Sequence, residues 1–189
     1  MEEEAEKIVE EKEHELLEKA EVSLILDKYE DIFSDFDPRP FTQRAFSVDF
    51  LDEAKRATRD IEFGAFQLRF MLPKTERNSE TEYMVRRRLR EHFKKHHEML
   101  RKEKSKIVKQ GLSFIGLGIL FMLVAAFVLY RYHNVLSLMK ELLIVMLEPG
   151  GWFLFWEGLE LVIFKSKVVK PDLNFYKKMT NAEIIFSYY

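Results

Sequence analysis

The chain has 189 residues, room for one small soluble domain and two membrane passages but not for two full domains. It holds no Cys, which excludes a disulfide framework and any thiolate metal or nucleophile site, and fits a reducing compartment. Its formal net charge of −2 conceals a segregation: Met1 to Ala20 carries nine Glu and three Lys, whereas Met84 to Gln110 carries eleven Lys and Arg against three Glu.

Glu2 to Ala20 is rich in Glu, Lys, Ala and Leu and reads as an acidic helix whose apolar content is thin: Ile8, Val9, Leu16 and Leu17. Its acidity is the opposite of a secretory signal, so the soluble part is expected to stay in the compartment where it is made. Val22 to Leu26 reads as a buried strand. Asp27 to Thr42 contains Asp37-Pro38-Arg39-Pro40 between Phe33, Phe36 and Phe41, and two prolines so close forbid helix or central strand, leaving a loop pinned by aromatics. Ser47 is placed as an N-cap, with Asp49, Asp52 and Glu53 in the first turn and Phe50, Leu51, Ala54, Ala57 and Ile61 on one apolar face.

Phe66 to Met71 alternates Phe66, Leu68 and Phe70 against Gln67, Arg69 and Met71, the period of a second strand. Pro73 to Asn78 is the turn that follows. Residues 21–78 therefore read as a small α+β domain after an acidic segment 1–20. Two strands are marginal in water. Either neighbouring subunits complete the sheet, which favours a homo-oligomer, or the run Ile184 to Tyr189 adds a third strand.

Ser79, with Glu82 three residues on, resembles a capping box and opens a basic helix over 79–130 that contains no Pro. Such a helix is about 75 Å long. Val85, Leu89, Phe93, Leu100 and Ile107 give its polar half one narrow apolar stripe. Gly111 to Tyr130 is twenty residues without a charge, the length that crosses a bilayer core. Gly111, Gly118 and Ala125 recur every seven residues and mark a close-packing seam.

A polar connection over 131–141 leads to a second passage over 142–164, interrupted by Glu148, Pro149, Gly150, Gly151, Glu157 and Glu160. The Pro-Gly-Gly run predicts a kink or, alternatively, a re-entrant turn. The tail 165–189 opens with Lys165, Lys167 and Lys170 and continues to Lys177 and Lys178. Cations before the first passage and after the second predict a cell (inner) membrane protein with both termini cytoplasmic.

Several side chains invite chemical readings. Glu148, Glu157 and Glu160 are candidates for an ion pathway, since charges within a membrane segment are costly and face a bundle interior or water. The plainer reading pairs Glu160 with Lys165 or Lys167. Arg86, Arg87, Arg88, Arg90, Lys94, Lys95, Lys106 and Lys109 are placed as contacts for anionic lipid head groups. His92 and His96 have the spacing of two helical metal ligands but lack an evident third, so no metal and no cofactor are assigned. Nucleic acid is not expected as a partner, because no aromatic platform or motif accompanies the basic stretch. No phosphate loop or nucleophile elbow is present, so enzymatic activity has no support.

At Gly151-Trp152, Trp156 and Glu160 the chain resembles an uncharacterised family of prokaryotic two-pass membrane proteins with a Gly-Trp-x3-Trp-x3-Glu pattern in the second passage. The loop Asp35-Phe36-Asp37-Pro38-Arg39-Pro40-Phe41 is similar to the aromatic, Pro-containing segment ahead of that family's first helix. The chain departs at Glu157-Gly158, where that pattern has a basic residue and Pro. The resemblance implies architecture and membrane location only. The expectation is a membrane α-helical hairpin carrying a small cytoplasmic α+β domain on a continuous helix, a homo-oligomer of structural, scaffolding or accessory type, possessing membrane lipids and an unidentified membrane protein as partners. The alternatives are an ion channel or transporter lined by the intramembrane glutamates and a small lipid-acting membrane enzyme.

Overall fold

A computed structural model describes residues 20–61 and 66–189. The acidic segment expected over 1–20 lies, but for Ala20, outside the described residues. In chain order the elements are β1 (Ala20–Ile25), α1 (Val48–Ala57), β2 (Phe66–Leu72), α2 (Ser79–Arg131), α3 (Leu138–Glu160), α4 (Lys170–Thr180) and β3 (Glu183–Tyr188). The described residues up to His97, with Asn174–Tyr189, form one compact unit, and Glu98–Leu173 form a second.

In the first unit a three-stranded sheet runs in the order β1-β2-β3. Both pairings are parallel, Leu24 lying opposite Phe70 and Phe70 opposite Phe186. The third strand therefore comes from the C-terminal residues of the same chain. That settles the open choice and removes the argument for a neighbouring subunit, because β2 already has a partner on each side. The stretch read as a basic tail over 165–189 is folded: it contains α4 and β3.

The alternation in β2 appears in space, with Phe66, Leu68, Phe70 and Leu72 fully buried. Each large side chain so enclosed contributes about 1.5–3 kcal/mol relative to exposure. Above them α1 starts at Ser47, whose hydroxyl accepts from the Phe50 N–H at 3.5 Å. Phe50 and Ala54 face the core, and Phe50 meets Phe70 with ring centroids 5.8 Å apart. Ala57 points to solvent instead, and the next residue, Thr58, closes the buried face by donating to the Ala54 carbonyl at 2.8 Å. From α2, Val85, Leu89 and Phe93 enter the same core, and Phe175 of α4 meets Phe93 edge-on at 6.2 Å.

The Pro-containing loop is held from within. Asp37 accepts from the Arg39 guanidinium at 2.7 and 2.9 Å and from the Ala45 N–H at 2.7 Å. Those bonds, Arg39 foremost, hold its carboxyl well below the usual carboxylate range. Phe33 stacks on Phe41 and Phe46 at 5.2 and 5.4 Å. Phe36 takes no part in the pinning: it is 97 % exposed.

The long helix starts one residue earlier than its expected capping box implies. Ser79 is its first residue, and Asn78 caps it, its Oδ1 accepting from the Glu80 and Thr81 N–H groups at 2.9 and 3.1 Å. Asn78 also carries a strong capping side chain, so two adjacent candidates competed. Glu82 is released for another task. Buried, it accepts from Arg77 at 2.7 and 3.0 Å and from the Tyr29 hydroxyl at 3.4 Å, while that hydroxyl accepts from the Asn78 N–H at 2.9 Å. This network ties the start of α2 to the segment after β1. Burial raises the Tyr29 pKa, against the bond from Asn78.

Candidate functional site: the glycine-seamed hairpin

The second unit is built from two apolar helices. Ser79–Arg131 and the run Leu138–Val168 are long and apolar enough to cross a membrane. Their mutual contact rests on small residues. A Cβ added at Gly111 would stand 2.8 Å from the Gly158 carbonyl oxygen, and one at Gly158 would stand 2.6 Å from that of Gly111. One added at Gly118 would meet the Gly151 oxygen at 2.6 Å and the Phe155 nitrogen at 2.7 Å. Backbone atoms occupy the space a side chain would need, so the helices approach through glycine. The antiparallel step that sets Gly111 at Gly158 and Gly118 at Gly151 puts Ala125 level with Ile144, and both are buried. Gly116 has no neighbour within 4 Å at its Cβ position and is off the seam.

The Gly151–Gly158 half of this seam went unread in the sequence because Pro149-Gly150-Gly151 looks like a break. Helix α3 runs unbroken through Pro149, and no glycine among the described residues has a positive φ. The re-entrant turn is therefore not formed. Gly151 serves close approach rather than chain reversal, and its seven-residue spacing to Gly158 was the available signal. Six residues, 132–137, connect the helices, fewer than the 131–141 expected.

The irregularity falls later, at a π-helical turn over Leu161–Lys165. The Ser166 N–H bonds the Leu161 carbonyl, five residues back, so the turn holds one residue more than an α-turn. That extra residue brings Lys165 over the carboxylates: its Nζ lies 3.6 Å from Glu157 Oε1 and 3.6 Å from Glu160 Oε1. Glu157 and Glu160 are thus together, bridged by one ammonium. Glu148 is exposed and stands nine residues earlier, about 13 Å of helix rise, so it does not join them. A groove of about 370 Å³ beside the pair is lined by Phe153, Trp156, Glu157, Leu159, Glu160, Ile163 and Phe164. Trp156 stacks on Trp152 with centroids 6.2 Å apart.

The basic residues divide by position. Arg86 donates to the Ile184 carbonyl at 3.0 Å and lies over Phe186. Arg88 donates to the carbonyls of Phe41 and Arg44 and lies over Phe33 and Phe46 at 5.1 and 5.0 Å. Arg87 pairs with Glu91 at 2.9 Å. Arg86 and Arg88 were expected as lipid contacts; in the structure these half-buried guanidiniums hold the strand and the loop through those carbonyls. Arg90, Lys94, Lys95, Lys106 and Lys109 are exposed. Lys102, Ser105, Lys106, Lys109 and Gln110 line an open groove of about 570 Å³.

His92 packs edge-on against Phe46 at 4.8 Å and lies 3.9 Å from the His96 ring, which stacks on Tyr176 at 5.1 Å. Its Nε2 is buried without a hydrogen-bond partner, and burial, then His96, Arg88 and Lys95, push its pKa down to about 4. Among the described residues no group of three or more His, Asp or Glu converges as a metal site. The pair is part of an aromatic core. Compared with models of known families, with curated proteins and with solved structures, the chain matches none.

Proposed function

We propose that the chain is a two-pass integral membrane protein of structural or scaffolding type, whose α+β domain is held at the cytoplasmic face of a cell membrane. One observation carries the reading. The hairpin uses glycine on its inner seam and turns large apolar side chains outward, among them Leu123, Phe127, Val145, Met146 and Phe153, all more than 60 % exposed. Water opposes such a surface, and lipid favours it. The eleven cations of Met84 to Gln110 and the five lysines from Lys165 to Lys178 flank the two apolar stretches, which by the positive-inside rule puts both on the cytoplasmic side. Because β3 completes the sheet within one chain, the scaffold reading needs no second copy. Extraction of membranes with alkaline carbonate tests it. The protein should stay in the pellet and leave only with detergent; release by carbonate alone would refute the proposal.

A further inference from the structure

We infer that the groove at Trp156, Glu157 and Glu160 is a binding site for the ammonium head group of a zwitterionic phospholipid, an inference that rests on the membrane reading above. Two carboxylates faced by one ammonium, that of Lys165, leave one negative charge at the groove. An excess of carboxylate over ammonium at the end of an apolar belt is costly, and a cationic head group is the complement that lipid itself supplies. The walls suit the same ligand. Trp156 and Phe153, 60 and 67 % exposed, line the groove, and aromatic rings attract a cation.

The π-helical turn prepares the second half of the recognition. It sets Lys165 beside the carboxylates, and exposed Lys167 follows, so a phosphate one short linker from the ammonium meets positive charge. A primary ammonium donates three hydrogen bonds and serves Glu157 and Glu160 together, whereas a trimethylated one donates none. The head group selected is therefore an ethanolamine. This site is separate from the basic face of α2, whose exposed lysines suit anionic head groups instead.

The chain holds two Trp, at 152 and 156, so a W152F variant makes Trp156 the sole reporter. This full-length variant would be placed in phosphatidylglycerol nanodiscs containing a small fraction of acyl-brominated phospholipid bearing either an ethanolamine or a glycerol head group. The expected result is quenching that shows about fivefold enrichment of the ethanolamine lipid, the order one half-exposed ion pair supplies. The preference should vanish when E157Q and E160Q are added and fall with a choline head group. Equal quenching by ethanolamine and glycerol lipids overturns the inference while leaving the membrane reading intact, as does a preference that survives E157Q/E160Q. Quenching by neither lipid overturns the membrane reading itself.

Discussion

The two units reach close packing by opposite means. In the sheet domain, Phe33, Phe46, Phe50, Phe70, Phe93, Phe175 and Phe186 fill space, and their rings meet across distances of about 5 to 6 Å. In the hairpin, Gly111, Gly118, Gly151 and Gly158 remove side chains so that backbone meets backbone. The solvents proposed for the units account for the difference. Water drives large apolar groups together, so a domain gains by burying rings. Lipid is as apolar as leucine, so helices within it gain only by contact close enough for dispersion and backbone dipoles. Removing atoms should therefore damage the first unit, and adding atoms the second.

The sharpest break is Gly118→Leu. Its Cβ would press on the Gly151 oxygen and the Phe155 nitrogen, which are backbone and cannot rotate aside, so the cost should exceed the ~1–3 kcal/mol of ordinary overpacking. Helix separation can be read by cross-linking of cysteine pairs placed along the seam. Gly116→Leu, in open space, should leave cross-linking unchanged; equal damage at both sites would refute the seam. In the domain, Phe93→Ala should cost about 3–5 kcal/mol in a denaturant titration of the full chain, by transfer and cavity terms together.

A smaller effect should follow pH. His92 titrates near 4 in the fold against an ordinary value of 6.5. Between those values the unfolded chain binds more protons, so the histidine's contribution is complete above pH 6.5 and is lost as pH falls toward 4. The loss should be about 2 kcal/mol and disappear in His92→Phe, read from denaturation midpoints at pH 7.5 and 5. A smaller effect again is expected for Asn78→Ala, about 1 kcal/mol for a lost cap. Ser79→Ala should do less; the reverse order would return the cap to Ser79.

What the sequence disclosed was local and periodic. The two-residue alternation of Phe66 to Met71, the Ser47 cap, the stripe of Val85, Leu89 and Phe93, and the seven-residue spacing of Gly111 and Gly118 are each visible within a few turns of chain. What it withheld depends on distant partners. Strand β3 pairs with β2 after more than a hundred residues, and no local signal separates that pairing from one with a neighbouring subunit. Arg86 and Arg88 look like surface cations until the carbonyls of Ile184, Phe41 and Arg44 are placed beside them. The Pro149 region looks like a break because Pro and Gly weaken isolated helices. Here the facing Gly118 makes Gly151 an asset and the helix continues.

The proposed membrane hairpin is tested most directly by its topology, and the absence of Cys makes single-cysteine labelling clean. Asn134→Cys, in the connection between α2 and α3, and Glu53→Cys, exposed on α1, would each be treated with a membrane-impermeant maleimide on intact cells and after lysis. The account predicts that Asn134→Cys is labelled on intact cells and Glu53→Cys only after lysis. Labelling of both on intact cells, or of Asn134→Cys only after lysis, would contradict a hairpin that crosses twice with its domain inside.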